Sequence, residues 1–121
     1  MKLEDQVCSL ELAKRIKEFG VKQESYFEWV NVNFALGKWE IFQVDEDDKV
    51  NTKVSAFTVA ELGEMLPVGY KSFKQPHDGP IEWVCWDDTS EIKVPNFIAE
   101  TEADARAEML VYLLEKGIVK P

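Results

Sequence analysis

The side chains best suited to catalysis are one histidine and two cysteines. His77 lies beside Asp78 in the segment QPHDGP. In this arrangement the carboxylate could orient the imidazole so that it acts as a general base. A pairing of Cys85 or Cys8 with His77 would provide a nucleophile and its base. However, a histidine flanked by prolines is typical of a turn, and packing explains a thiol within an aromatic segment. The sequence therefore assigns no catalytic residue, and an enzyme is the least favoured class of function.

Cys8 differs from Cys85 because it lies at the start of a predicted helix. The positive end of a helix dipole lowers the pKa of a nearby thiol, so we expect Cys8 to be mildly activated. The low number of cysteines predicts free thiols in a reducing compartment rather than a disulfide framework.

The sequence predicts neither a metal nor a cofactor. One histidine and two cysteines cannot complete a zinc site without carboxylates, and no C-x-x-C spacing is present. The acidic run DEDDK at 45–49 lacks the alternating ligands, the glycine and the closing glutamate of a calcium loop, so we expect a solvated connection. Glycine-rich phosphate loops and the G-x-S-x-G nucleophile motif are also missing.

The charge balance argues against binding to nucleic acid. The chain carries 23 acidic and 14 basic residues, for a net charge of −9, whereas contacts to phosphates need lysine and arginine. Its main basic cluster, Lys14, Arg15, Lys17 and Lys22, is interleaved with glutamates as on a solvated helix face. The sequence contains neither a membrane-spanning apolar run nor a signal-peptide pattern, which predicts a cytoplasmic protein.

Three amphipathic segments, at 9–19, 58–66 and 101–116, predict helices. Each begins after a serine or threonine N-cap and is followed by a glycine or a proline that ends it. In the second segment, Thr58 and Glu61 have the spacing of a capping box.

Four aromatic and β-branched segments predict strands, at 25–30, 38–44, 81–88 and 91–100. Several carry large apolar residues on both phases of the alternation, which indicates a sheet covered at least partly on two faces. We expect a loop at 68–80. The sequence thus predicts an α+β fold in which a mostly antiparallel sheet of about four strands packs with three helices. The element order is α-β-β-α-β-β-α, within a single domain at 1–121.

A helix-turn-helix is the alternative interpretation of the first segment. A helix at 9–19, then Gly20 and an apolar element with Trp29, has the spacing of such a motif. The second element would then present Glu24 and Glu28 to phosphates, which is unfavourable. We therefore prefer a helix followed by a strand, and keep a nucleic-acid-binding regulator as the alternative function.

The four tryptophans permit two interpretations. Trp29, Trp39, Trp83 and Trp86 would either fill a core or form an aromatic surface for a partner, because tryptophan is enriched at interaction hot spots. We expect most of them in the core and one or two at a surface.

Three blocks of sequence resemble a family of short, uncharacterised proteins of bacteriophages and prophages. The blocks are LEDQVCSLELAKRIKEFGVKQES at 3–25, SAFTVAELGEMLP at 55–67 and TEADARAEMLVYLLEKG at 101–117. The order of the elements is also distantly similar to the phage ABA sandwich domain, a sheet between helical layers. These resemblances imply a fold and a genomic setting but no site residue. The final helix also resembles that of a double-stranded-RNA-binding domain, but Glu102 and Asp104 stand where those domains carry lysines.

Together, these features predict an accessory protein that binds another protein. Its acidity suggests a mimic of DNA that occupies a basic host protein such as a nuclease.

Overall fold

Four helices and six strands make up the fold of the computed structural model, which describes residues 2–47, 52–75, 79, 81–89 and 93–121. In chain order they are α1 Leu3–Gln6, α2 Leu10–Glu18, β1 Phe27–Asn33, β2 Lys38–Gln43, β3 Lys53–Ala56, α3 Val59–Met65, β4 Tyr70–Gln75, β5 Glu82–Asp87, β6 Phe97–Ala99 and α4 Glu102–Glu115.

The strands form two antiparallel sheets with the orders β2-β1-β3 and β4-β5-β6. The predicted α+β class is confirmed, but the prediction of one sheet with about four strands is wrong. Strand β3 is too short to show a clear alternation of apolar and polar residues. Strand β4 lies inside the predicted loop at 68–80, where its lysines and a serine hid the pattern. Among the described residues of the predicted strand at 91–100, Phe97–Ala99 form strand β6, which begins after Pro95.

Helix termini follow the capping residues of the sequence. Ser9 Oγ accepts from the Leu12 N–H at the start of α2, and Thr58 forms a reciprocal capping box with Glu61 at the start of α3. Thr101 caps α4 in the same way as Ser9 caps α2. The four-residue helix α1 was not predicted and accounts for the fourth helix.

Helix α4 lies at the centre of the molecule. It contacts α1, α2 and α3 as well as all three strands of the second sheet. Its buried residues cover most of the helix circumference rather than one stripe, and the side with Asp104, Glu108 and Glu115 is partly exposed. The buried residues are Ala103, Ala105, Ala107, Met109, Leu110, Val111, Leu113 and Leu114.

The core therefore surrounds helix α4 and includes residues of both sheets, while α2 contributes one buried stripe, Ala13 and Ile16. Helix α2 packs on strand β3 of the first sheet and on α4, and α4 packs on the second sheet. Trp29 and Val54 from the first sheet and Cys85 from the second belong to, or pack against, this same core.

A half-buried polar cluster joins α3, α4 and β4. The Arg106 side chain donates from Nη1 to the Val59 carbonyl at 2.9 Å and from Nε to Ser72 Oγ at 2.8 Å. Ser72 Oγ donates in turn to Glu102 Oε2 at 2.5 Å. The space for the guanidinium comes from Gly63, because a Cβ there would overlap Arg106 Nη1. A glycine that is unfavourable within a helix thus permits a close polar contact.

Candidate functional site

Exposed apolar side chains are concentrated on the hairpin of β1 and β2. Among the described residues, ten large apolar side chains are exposed, and six of them lie between positions 26 and 44. We call these six the hairpin surface: Tyr26, Val32, Phe34, Leu36, Phe42 and Val44. Such a concentration is typical of a surface that contacts another molecule.

The tip of the hairpin holds Phe34 and Leu36 in solvent, with 81% and 77% of their surface exposed. The Leu36 N–H lies 3.2 Å from the carbonyl oxygen of Asn33 and 3.3 Å from its side-chain oxygen. The Gly37 N–H donates to the Phe34 carbonyl, and the positive φ of Gly37, 63°, suits glycine. A hydrogen-bonded turn, rather than a long loop, therefore presents the two apolar side chains.

Strand periodicity places the remaining residues of this surface. Trp29 and Trp39 face the helices, so the opposite phase of β1 and β2 faces away from them. Phe42 and Val44 lie on that outer phase and are exposed. Val32 lies where the register between the strands shifts, as in a β-bulge. On the same outer phase of β1, however, Glu28 and Val30 are buried. The second face of the sheet is therefore covered at β1, as predicted in part, and exposed at β2.

Acidic residues border the hairpin surface. Asp45, Glu46 and Asp47 follow β2 directly, are exposed, and form no ion pair with other described residues. Glu40 is also exposed, and its carboxylate lies 3.7 Å from Lys38 Nζ. The hairpin therefore carries an apolar tip at one end and a negatively charged segment at the other.

The two cysteines are buried within the core. Both thiols have no exposed surface, and burial raises the pKa of Cys8 to about 12 and that of Cys85 to about 11. The expectation of an activated Cys8 is wrong, because desolvation of the thiolate outweighs any effect of the helix terminus. His77 and Asp78 lie outside the described residues, so the structure does not place them beside either cysteine.

The basic residues of helix α2 contact other residues of the chain. Arg15 pairs with Glu115, Lys14 Nζ lies 4.8 Å from the centroid of the Trp39 ring, and Lys17 Nζ donates to the Lys53 carbonyl at 3.0 Å. The chain continues from Gly20 to strand β1, so the predicted order of helix and strand is confirmed.

Three of the four tryptophans pack against the core, as expected. Trp29, Trp39 and Trp83 are partly buried there, and Trp29 Nε1 donates to a backbone carbonyl at 3.0 Å. Trp86 lies on the outer phase of the second sheet, where its ring meets the Phe73 ring edge-on at 6.3 Å.

Two grooves border helix α4. One, of about 440 Å³, has an apolar floor that includes Phe57 and Leu110. The other, of about 390 Å³, lies between α2 and α4 and is lined in part by Asp104 and Glu108. Burial raises the pKa of both carboxyls, and the charge of Asp104 raises that of Glu108 further.

Within the described ranges, no group of three or more histidine, cysteine, aspartate or glutamate side chains is placed to hold a metal ion. No helix in the same part of the chain is both long enough and apolar enough to cross a membrane. Neither the family models, nor the curated proteins, nor the solved structures compared with this chain match it.

The hairpin surface was not predicted from the sequence, although the segment NFALG at 33–37, between two predicted strands, indicates it. A Phe and a Leu that lie in a short turn have no interior position to occupy, and this marks them as exposed.

Proposed function

We propose that this chain is a cytoplasmic accessory protein of phage or prophage origin that binds another protein through the hairpin surface. The observation that carries the proposal is the exposure of Phe34 and Leu36 on a turn fixed by hydrogen bonds. The resemblance of the segments at 3–25, 55–67 and 101–117 supports the phage setting. Exposed aromatic and aliphatic anchors on a rigid element are typical of binding hot spots.

The chemistry of the surface specifies the chemistry of its partner. Phe34 and Leu36 fit an apolar pocket, while Asp45, Glu46 and Asp47, at the other end of the hairpin and roughly 20 Å away, fit lysines or arginines. Charge complementarity of this kind raises association rates and makes them sensitive to salt. The expected partner is therefore a protein with an apolar pocket for the tip and a separate basic patch for the other end of the hairpin.

Photo-crosslinking tests this assignment. A benzophenone amino acid replaces Phe34 in one variant and the exposed Val68 in a control, and both are irradiated in lysate of the host bacterium. We expect one protein to be trapped from position 34 and not from position 68, with lower yield at higher salt. The double substitution Phe34→Ser with Leu36→Ser should abolish co-purification of that protein, whereas Val68→Ser should not. Equal recovery with both variants would contradict the proposal.

A second candidate, a mimic of DNA, is favoured by the number of exposed carboxylates that form no ion pair with other described residues. Within the described part of the chain, these acids lie on several elements and form no ion pair; they are Glu4, Asp5, Glu11, Glu18, Asp45, Glu46, Asp47, Glu64 and Glu100. A mimic should compete with duplex DNA for the trapped protein. If duplex DNA does not compete although the trapped protein still binds, the proposed hairpin interaction stands and the proposal of DNA mimicry is refuted.

The other functions have less support. A nucleic-acid-binding regulator acting through the helix at 9–19 needs free basic side chains, but Lys14, Arg15 and Lys17 contact other parts of the chain. An enzyme needs accessible reactive groups, but both cysteines are buried.

A further inference from the structure

We propose that the partner contributes a β-strand to the open edge of β2, so that the first sheet gains a fourth strand. This inference rests on the proposed function and specifies how the partner is bound. Strand addition at a sheet edge is a common mode of protein recognition, in which main-chain hydrogen bonds give affinity and side chains give specificity.

The direction of the backbone groups in β2 follows from its pairing with β1. The Val44 N–H donates to the Tyr26 carbonyl, so the even-numbered residues of β2 direct their N–H and C=O groups toward β1. The odd-numbered residues, Trp39, Ile41 and Gln43, therefore direct theirs away from the sheet. Among the described residues none of these outward groups has a backbone partner, and β2 is the last strand of its sheet.

The opposite edge of the same sheet is occupied. On β3, the outward Ser55 N–H donates to the side-chain oxygen of Gln23 at 2.8 Å. The Lys53 carbonyl accepts from Lys17 Nζ at 3.0 Å. Side chains of the chain itself thus satisfy the β3 edge, as proteins commonly do to prevent unwanted pairing. The β2 edge lacks such protection in the described part of the molecule and is the available one.

Side chains around β2 indicate the strand that would fit there. Trp39 and Ile41, which are half-buried on the inner phase, favour apolar residues opposite them. On the outer phase, Glu40 favours a lysine or arginine, whose stem would cover Phe42. The occupant is therefore an extended segment of the partner in which apolar and basic residues alternate.

Amide hydrogen exchange followed by NMR tests the proposal. In the free protein we expect fast exchange at Trp39, Ile41 and Gln43 and slow exchange at Glu40 and Phe42, because only the latter two amides are paired with β1. The probe is a capped peptide of alternating valine and lysine, about seven residues long to match a strand. Its addition should slow exchange at the three outward amides by at least about tenfold.

A proline substitution separates backbone pairing from side-chain contact. Gln43→Pro removes an outward N–H without removing a bond to β1, and Gln43→Ala is the matched control that keeps the N–H. We expect Gln43→Pro to weaken peptide binding about tenfold and Gln43→Ala to leave it nearly unchanged. A peptide N-methylated on its bonding edge should not bind. Thermal melting of both variants checks that each is folded.

Each outcome decides between the two proposals. Unchanged exchange at Trp39, Ile41 and Gln43 in millimolar peptide overturns strand addition, and so does equal binding by Gln43→Pro and Gln43→Ala. If the protein trapped at Phe34 still binds Gln43→Pro fully, the proposed function stands without strand addition. If the three amides exchange slowly in the free protein, and more slowly at higher protein concentration, a second copy of the chain occupies this edge. That result also overturns the proposal that the partner supplies the strand.

Discussion

Gly63→Ala is the substitution whose effect follows most directly from the packing. Glycine within a helix is less favourable than alanine by about 1 kcal/mol, so propensity alone predicts stabilisation. The new methyl group would, however, overlap Arg106 Nη1, which donates to the Val59 carbonyl at 2.9 Å. Loss of one hydrogen bond to a charged group costs about 1.5–3 kcal/mol. The net effect is a destabilisation of about 1 kcal/mol, or a decrease in Tm of about 4 °C for a chain of this size.

A double-mutant cycle isolates the cause. In an Arg106→Met background the guanidinium is gone, so Gly63→Ala should stabilise the protein by about 1 kcal/mol. The coupling energy between the two positions is then about 2 kcal/mol. Urea unfolding of the four proteins, followed by tryptophan fluorescence, measures each free energy of unfolding. The reasoning is refuted if Gly63→Ala stabilises the wild-type protein as much as it stabilises the Arg106→Met variant.

Two further predictions concern titratable groups. Burial raises the pKa of Glu108 in the folded protein, so its protonated form favours folding; this contribution is complete below the unfolded pKa of about 4.3 and is lost as the pH rises through the folded pKa. Glu108→Gln should therefore raise Tm at pH 7 but not at pH 4, and an equal effect at both values in thermal melts would contradict this. Because Cys8 and Cys85 are buried with raised pKa values, neither thiol should react with a disulfide reagent at pH 8 in the native protein, and both should react in guanidinium. Rapid reaction of either thiol in the native state would show that the core opens.

The helices were predictable because their signals are local. Ser9, Thr58 and Thr101 have the side chains that cap helices, and the structure uses each of them as an N-cap. The strands were predictable only where aromatic residues mark them, as at Trp29 and Trp83. Strand β3 is defined by its pairing with β1, and a four-residue segment has too few residues to show that pairing in advance.

The division into two sheets could not be predicted for a similar reason. Which strands pair depends on contacts between distant residues, such as Phe27 with Ala56 or Cys85 with Phe97. Apolar residues on both phases of β2 suggested a covered sheet, and only the structure shows that Phe42 faces solvent. Within the hairpin surface, the turn NFALG marks Phe34 and Leu36 as exposed already in the sequence, whereas the exposure of Phe42 and Val44 depends on the assembled fold.

The central position of α4 has a consequence during synthesis. Both sheets precede α4 in the chain, so a ribosome completes every strand before it makes the helix that contacts the second sheet and helices α1, α2 and α3. At about 5–20 residues per second, the inner face of the second sheet remains without this partner for a period on the order of seconds. The newly made chain therefore exposes one apolar sheet face until α4 has been synthesised. We expect demand for chaperones to be greatest in this interval, and to fall once Ala103 and the residues after it can enter the core.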